Sequence, residues 1–336
     1  MMTPSALFDL IQAPIRWEIL RAALELGIVD DLADGGGRTV AETAAALSLD
    51  PRRTGLLLNA MTALGICRAD GGRYSLPEDL APYLCRDGAR SMRDLLLTIV
   101  RVRHGDVTDL VRQGDPGGGP DMASPAFWDR SADSLRAFHR AMGTETALSV
   151  LRGLPEWASA RRILDLGAGS ERLALALAAE APAGRAVTVL DLPPMADRIR
   201  SALARSPHGG GAGAGVQVIA GDFNAVPFGG PYDVIWAAMT LYFARDLGAV
   251  LTAARQALAS GGVFVSFHEG LSEDRTGPET HVIGRLVPSL RGRDPSFHHG
   301  QIAAALRQAG FPQVDSVPVE TPFGPMQADI ARVPPP

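Results

Sequence analysis

The hydrophobic pattern at the start of the chain predicts a helical domain that ends in a hairpin. Apolar residues recur at helical spacing over 5–33. Thr39, with Glu42 three residues later, has the spacing of a capping box and predicts the start of another helix. Asp50 precedes a proline and a further apolar helix, after which an alternating segment predicts a short hairpin turning at Asp70-Gly71. Helix, helix and hairpin in this order are typical of a winged helix.

From residue 161 onward, short apolar strands alternate with amphipathic helices. Alternation at this spacing predicts a parallel, doubly wound, Rossmann-like sheet, so the fold class is α/β. The predicted strands are 163–166, 187–190, 216–219, 234–236 and 263–267, and the predicted helices are 172–181, 195–204, 247–259 and 301–309. Two more strands, 313–319 and 326–332, predict a hairpin added at the sheet edge.

An amphipathic helical segment, 125–151, leads from the first region into the second. The chain is therefore predicted to contain a winged-helix domain at 1–100, a helical connector at 101–155 and a doubly wound domain at 156–336. The glycine-rich segments 114–120 and 209–215 are predicted loops.

The turn after the first predicted strand of the sheet carries candidate binding chemistry. Asp165, Gly167 and Gly169 form an Asp-x-Gly-x-Gly pattern, and Asp191 closes the second strand. Glycines allow backbone to approach a ligand closely, and an acid at the end of the second strand can accept ribose hydroxyls. Arg172 stands where a dinucleotide site needs its third glycine. The pattern therefore favours a ligand with a cationic, phosphate-free centre, such as S-adenosylmethionine.

Charge and composition limit the partners and the cellular location that we expect for this protein. The formal net charge is −5 with no dense basic cluster, which argues against a nucleic-acid surface. The two cysteines, Cys67 and Cys85, have neither metal-site nor disulfide-framework spacing, which fits a reducing cytoplasm. The sequence has no secretory leader pattern and no apolar run long enough to span a bilayer, so we expect a cytoplasmic protein.

Several local motifs occur together in the order that one family shows. They are Thr39-Val-Ala-Glu-Thr-Ala, Val189-Leu-Asp-Leu-Pro, Gly221-Asp-Phe, Ala259-Ser-Gly-Gly and Gln308-Ala-Gly-Phe. With the Asp165 turn, they make the chain resemble the dimeric small-molecule S-adenosylmethionine-dependent methyltransferases of the caffeate and hydroxyindole O-methyltransferase type. The resemblance covers nearly the whole chain. It implies a homodimer formed through the N-terminal domain and methyl transfer to a ring-bearing small molecule of secondary or pigment metabolism.

The resemblance also implies which residues hold the cofactor. These are Asp165, Gly167, Gly169, Asp191, Leu192, Asp222 and Phe223. Asp191 would take the ribose hydroxyls, while Asp222 and Phe223 would flank the adenine. Glu171 departs from the family, which usually has glycine at this position. It could crowd or repel the amino-acid end of the cofactor; we expect instead that it lies in the first helical turn and points to water.

The acceptor side departs further from the family. Tyr242 takes the position of the histidine base of O-methylating members, and His268 takes that of a supporting acid. The position of the family's second supporting acid falls at or near His298 and His299. Tyrosine, with a pKa of about 10, is a poor base unless a neighbouring cation lowers it. His268 could supply that charge, or could itself be the base with a pKa close to neutrality.

These substitutions leave the acceptor atom open. An electron-rich carbon or an already acidic hydroxyl needs little base, so both C- and O-methylation fit Tyr242. Histidines that hold a metal are a further alternative, although no metal is our primary expectation. The connector residues Phe138, His139 and Met142 are the predicted acceptor contacts, together with His298 and His299.

Two rival functions remain at this point. A protein with this fold can lose methyl transfer and act as a hydroxylase, decarboxylase or cyclase with the cofactor structural or absent. A DNA-binding regulator is the more remote rival, because the helix that begins with Arg52 and Arg53 continues as an apolar run.

Overall fold

The computed structural model describes residues 2–103, 105–113, 125–180, 185–205, 215–291, 294 and 296–335. Contacts divide the chain into two compact units, Met1–Leu97 and Thr98–Pro336, so the predicted connector belongs to the second unit. The glycine-rich segments predicted as loops lie outside the described residues, apart from Gly215. None of the helices in the described part is long and apolar enough to cross a membrane.

The first unit contains the predicted order of helix, helix and hairpin. Its elements are α1 (Pro4–Glu25), α2 (Ile28–Asp31), α3 (Val40–Leu47), α4 (Pro51–Ala63), β1 (Arg68–Asp70), β2 (Arg73–Ser75) and α5 (Ala81–Leu84). The predicted first helix is divided at Gly27, whose φ of 77° lies in the left-handed region. The Thr39–Glu42 capping box is confirmed, since each side chain binds the other residue's backbone N–H. The hairpin turns at Gly71-Gly72, one residue later than predicted.

A seven-stranded sheet forms the centre of the second unit as described. Its strands are β3 (Arg162–Leu166), β4 (Ala186–Asp191), β5 (Val216–Ala220), β6 (Tyr232–Ala238), β7 (Leu258–His268), β10 (Gln313–Val319) and β11 (Met326–Arg332). The order is β10-β11-β7-β6-β3-β4-β5, with β3 to β7 parallel and the final hairpin antiparallel at one edge. The predicted sheet and its edge hairpin are confirmed. The strand order reverses at β3, where open α/β sheets bind ligands beyond the strand ends.

Helices cover both faces of this sheet, as a doubly wound fold requires. They are α10 (Arg172–Ala179), α11 (Pro193–Arg205), α12 (Leu247–Ala257) and α14 (Gln301–Gln308), preceded in the chain by α6 (Arg93–Arg103) and α7 (Val107–Gln113). Apolar side chains on the two faces of the sheet belong to two separate core clusters, one around Trp236 and one around Phe264. The four predicted helices of this domain are confirmed to within a few residues.

The connector is one helical segment with an irregular turn inside it. α8 (Pro125–Phe138) and α9 (Thr144–Arg152) are joined by a π-helical turn at His139–Gly143. Such turns occur often at functional sites. Gly143 permits this one, because a Cβ there would lie only 2.7 Å from the Phe138 ring.

Three elements between β7 and α14 were not predicted. They are α13 (Glu279–Leu290) and the paired short strands β8 (Gly270–Leu271) and β9 (Phe297–His298). The helix contains Gly284 and Pro288, and its apolar residues Ile283 and Leu286 are exposed. Gly284 and Pro288, both unfavourable inside a helix, concealed it in the sequence.

Candidate functional site

The turn after β3 can be made only with glycine at its first position. Gly167 has a φ of 71°, and a Cβ on it would lie 2.1 Å from the Thr240 Oγ1. Gly169 also has a positive φ, 66°. The Gly167 N–H donates to the Leu190 carbonyl at 2.8 Å, which ties the turn to the end of β4. The backbone is thus held close to the carboxyl ends of the two central strands.

Asp191 organises this turn from the end of β4. Its Oδ2 accepts from the Gly169 N–H at 2.8 Å, and its Oδ1 accepts from the Leu192 N–H at 2.7 Å. Burial raises the pKa of Asp191 to about 6, and the two backbone hydrogen bonds limit the rise. The carboxylate that the sequence assigns to ribose therefore also fixes the glycine turn.

Asp165 is more deeply buried than Asp191, and the hydrogen bonding of its carboxyl group is incomplete within the described structure. Its side chain is 3% exposed, and its Oδ2 has no hydrogen-bond partner in the described structure. Burial, followed by the nearby charge of Asp191, raises the pKa of Asp165 to about 8. A buried carboxyl that lacks a partner is suited to a cationic ligand, because the ligand's charge would stabilise its ionised form. This environment fits S-adenosylmethionine, which carries a sulfonium and an ammonium group.

The predicted adenine contacts lie beyond β5. Asp222 Oδ1 accepts from the backbone N–H and the side-chain amide of Asn224, at 2.9 and 2.8 Å. Its Oδ2 accepts from Arg245 Nη2 at 2.6 Å. Phe223 is half-buried and packs against the apolar cluster around Phe264. Asn224 and Arg245 were not predicted as part of this site, and they hold Asp222 in place.

Glu171 does not point to water, so that expectation was wrong. Its side chain is buried, and its Oε1 accepts from the Nε of Arg136 on α8 at 2.7 Å. The Nε of Arg172 lies 3.8 Å from the same oxygen. Cations from two helices therefore balance its charge, and this removes the reason to expect simple repulsion of an anionic ligand group.

His139 contacts the residue that precedes Glu171. Its Nδ1 lies 2.7 Å from the Ser170 Oγ. Burial lowers the pKa of His139 to about 4, so the imidazole is neutral near pH 7. Phe138, beside it, meets Phe323 edge to face at 5.0 Å between ring centroids, and Met142 is half-buried. Of the predicted acceptor contacts on the connector, His139 thus lies beside the glycine turn.

His268 is fully engaged in hydrogen bonds. Its Nε2 accepts from the backbone N–H groups of Thr240 and Leu241, at 3.0 Å each, and its Nδ1 lies 3.0 Å from the Ser266 Oγ. Burial lowers the pKa of His268 to about 3, and the charge of Arg285 adds to the effect. The near-neutral pKa considered for His268 was therefore wrong. A neutral ring also cannot supply the cation that Tyr242 needs.

Arg285, on the unpredicted helix α13, is the cation that lies beside Tyr242. Its guanidinium lies 4.9 Å from the centre of the Tyr242 ring and forms an ion pair with Glu269. Burial raises the pKa of Tyr242, and Arg285 partly counters this through its charge and a hydrogen bond. Tyr242 also meets His268 edge to face at 5.4 Å. Glu269 is buried, and its Oε2 has no hydrogen-bond partner in the described part of the chain.

The two adjacent histidines diverge. His298 Nδ1 lies 3.2 Å from the Ser272 carbonyl, while His299 Nδ1 lies 3.4 Å from Gln327 Oε1. His299 also occupies the space above Gly270, where a Cβ would approach its ring to 2.7 Å. Within the described ranges, no cluster of three or more His, Cys, Asp or Glu side chains could hold a metal ion.

Comparison with known proteins matches both units of the chain. A methyltransferase-domain family model matches residues 164–266, and an O-methyltransferase dimerisation-domain model matches residues 8–84. Acetylserotonin O-methyltransferase of Mus musculus is 29% identical over 351 residues, covering 97% of this chain and 87% of the relative.

Two bacterial relatives show that the chemistry varies among such proteins. The L-tyrosine C(3)-methyltransferase of Streptomyces lavendulae is 26% identical, covering 78% of this chain and 74% of its own length. Aclacinomycin 10-hydroxylase RdmB of Streptomyces purpurascens is 28% identical, covering 72% of this chain and 67% of its own.

Proposed function

Because the chain belongs to the S-adenosylmethionine-dependent methyltransferases that carry an O-methyltransferase dimerisation domain, we propose that it methylates an oxygen or carbon atom of a ring-bearing small molecule of secondary or pigment metabolism. The observation that carries the proposal is Asp165, a buried carboxyl beside the glycine turn, one oxygen of which has no hydrogen-bond partner among the described residues. When bound, the cofactor supplies an electrophilic methyl group on a sulfonium centre. Asp165 would provide the compensating negative charge, Asp191 the ribose contact, and Asp222 with Phe223 the adenine contact.

The direct test of this function is titration of S-adenosylmethionine and S-adenosylhomocysteine into the purified protein by calorimetry. We expect one site per chain, and methyl transfer when acetylserotonin, L-tyrosine and related phenols or heteroaromatic compounds are supplied. Absence of binding by both ligands would overturn the proposal.

Tyr242 is the residue that we assign to the acceptor. Because burial raises its pKa, the phenol stays protonated near neutral pH and can donate a hydrogen bond but cannot serve as the base. The Arg285–Glu269 pair and His268 hold the ring in place. The acceptor must therefore already be reactive, either as an acidic hydroxyl or as an electron-rich carbon. Orientation by Tyr242, Phe138, His139 and Met142 would then supply much of the rate.

Tyr242→Phe should lower kcat about 10- to 100-fold with any acceptor found, while the Kd of S-adenosylhomocysteine changes less than about twofold. The Phe ring keeps its contacts with Arg285 and His268 but loses the hydroxyl. Because the lost group is a donor and not a titrating base, the pH profile of kcat between about pH 6 and 9 should keep its shape. A Tyr242→Phe enzyme with unchanged kcat would exclude the assignment, and so would the loss of one ionisation from its profile.

The chain is proposed to act as a homodimer through its N-terminal unit. That unit matches the dimerisation domain, and α1 carries a row of exposed apolar side chains. They are Leu7, Phe8, Leu10, Ile11 and Ile15, with exposures between 52% and 72%. An exposed patch of this kind marks a protein interface. We further propose a cytoplasmic location, which agrees with Cys67 and Cys85 being free thiols.

Phe8→Glu combined with Ile11→Glu should convert the dimer to a monomer, because two charges would then be buried in the interface. Light scattering after gel filtration measures the mass directly. Val317→Glu, at an exposed apolar position of the sheet edge, is the matched control and should leave the dimer intact. A double variant that still has the dimer's mass would show that α1 does not form the interface.

One observation favours a second candidate function. Tyr242 replaces the histidine base, and one relative of this chain is a hydroxylase. A protein that binds S-adenosylmethionine but transfers no isotope-labelled methyl group to any acceptor would belong to this second class, whereas labelled product would exclude it.

A further inference from the structure

Two polar contacts join the connector to the two residues that follow the glycine turn. Arg136 binds Glu171 at 2.7 Å, and His139 lies 2.7 Å from Ser170. Ser170 and Glu171 are each 4% exposed. We call these two contacts, Arg136–Glu171 and His139–Ser170, the connector clamp.

The clamp lies directly over the turn. A Cβ placed on Gly169 would be 3.5 Å from His139 Cε1 and 3.7 Å from a methyl of Leu135. Arg136 and His139 are three residues apart, so they project from one face of the helix. The π-helical turn begins at His139, and Gly143 makes room for the His139 ring, since a Cβ there would lie 2.9 Å from it.

The same short segments carry both binding functions that we propose. Gly169 is bound to Asp191 on the cofactor side, and the next two residues hold the connector. Phe138 and Met142, the proposed acceptor contacts, flank His139 in the chain. A ligand that fixes the Asp191–Gly169 contact therefore also fixes Ser170 and Glu171, and through them the turn that carries Phe138 and Met142.

We propose that the connector clamp couples cofactor binding to the ordering of the acceptor site, with Arg136 and His139 as positioning residues. The inference rests on the proposed function and deepens it. It also gives Glu171 a role: its buried carboxylate is the anchor for Arg136. Coupling between two sites is reciprocal, so whatever orders the connector also strengthens cofactor binding.

The test uses S-adenosylhomocysteine as the probe and hydrogen exchange of the amides of residues 135–143 as the readout. Arg136→Gln alone would leave the buried Glu171 with only the more distant Arg172, so it is combined with Glu171→Gln and Ser170→Ala in one triple variant. The matched control is Arg152→Gln with Glu180→Gln, which removes another ion pair between the connector helix α9 and the end of α10. Thermal unfolding of every variant checks that it remains folded.

In the wild type, S-adenosylhomocysteine should slow exchange in this segment about tenfold or more, and the control variant should behave alike. The triple variant should stay folded, bind the ligand at least about fivefold more weakly and lose most of the slowing. A contact that only stabilises the fold would not produce that loss in a folded variant. The coupling would be overturned if the triple variant showed the same slowing as the wild type. It would also be overturned if the wild type bound the ligand but showed no slowing. No binding by the wild type would instead overturn the proposed function.

Discussion

Asp165→Asn should weaken S-adenosylhomocysteine and S-adenosylmethionine binding about 10- to 100-fold, because the variant can no longer present a buried negative charge to the ammonium group that both ligands carry. The wild type should also release up to one proton per site on binding at pH 7. Its carboxyl has a pKa of about 8 before the ligand arrives and must ionise to pair with the cation. Calorimetry in two buffers of different ionisation enthalpy measures this proton release, which the variant should lack.

Asp165→Asn should also change how the stability of the ligand-free protein depends on pH. The folded pKa of Asp165 is about 8, well above the ordinary 3.8, so the folded protein binds more protons than the unfolded chain between these values. Stability from this group is therefore complete below about pH 4 and is lost as the pH rises towards 8. For a shift of this size the total loss is on the order of 6 kcal/mol.

Urea unfolding of the ligand-free proteins at pH 5 and pH 8 tests this sign. The wild type should lose more stability between the two pH values than Asp165→Asn, although Asp191, with its own raised pKa, contributes in the same direction to both. Asp233→Asn is the matched control, because Asp233 lies at the opposite end of the central strands and accepts from the backbone of Arg161 and Arg162. Equal pH dependence in the wild type and Asp165→Asn would contradict the raised pKa. Unchanged ligand affinity would remove Asp165 from the site.

The sheet could be predicted because its strands are buried on both faces. β3, β4 and β7 are nearly continuous apolar runs, and such runs between helical segments indicate a parallel sheet. The glycine turn carried an equally local signal, since Asp165, Gly167 and Gly169 lie within five residues of one another. Features set by short stretches of chain were therefore within reach of the sequence.

The electrostatic properties of the site depend on contacts between distant segments. Glu171 meets Arg136, which precedes it by 35 residues, and no local pattern indicates that pair. An imidazole ordinarily titrates near neutrality, but burial and the charge of Arg285 lower the pKa of His268. Two backbone N–H groups from the segment after β6 also donate to its Nε2. Arg285 was missed with its helix, and the cation beside Tyr242 was missed with it.

Gly167→Ala tests whether the turn after β3 requires glycine at position 167. The new methyl group would lie 2.1 Å from Thr240 Oγ1, and alanine would have to adopt a φ of 71°. Overpacking costs about 1–3 kcal/mol, and the left-handed conformation adds about 1–2 kcal/mol, so we expect a loss of roughly 2–5 kcal/mol. Ligand binding should fall with it, because the Gly167 N–H holds the turn to the end of β4.

Thr240→Ala separates the two causes. It removes the clashing hydroxyl and methyl group but keeps the backbone N–H that Thr240 donates to His268. In Gly167→Ala with Thr240→Ala, the overpacking cost should fall, since the Cβ at position 240 is then the nearest remaining atom of that side chain at 2.8 Å, and the conformational cost should remain. The stabilities of the two single variants should then fail to add by about 1 kcal/mol or more in a double-mutant cycle measured by urea unfolding. Simple additivity would show that Thr240 does not crowd a side chain at position 167, so that the left-handed backbone alone would account for the cost of Gly167→Ala.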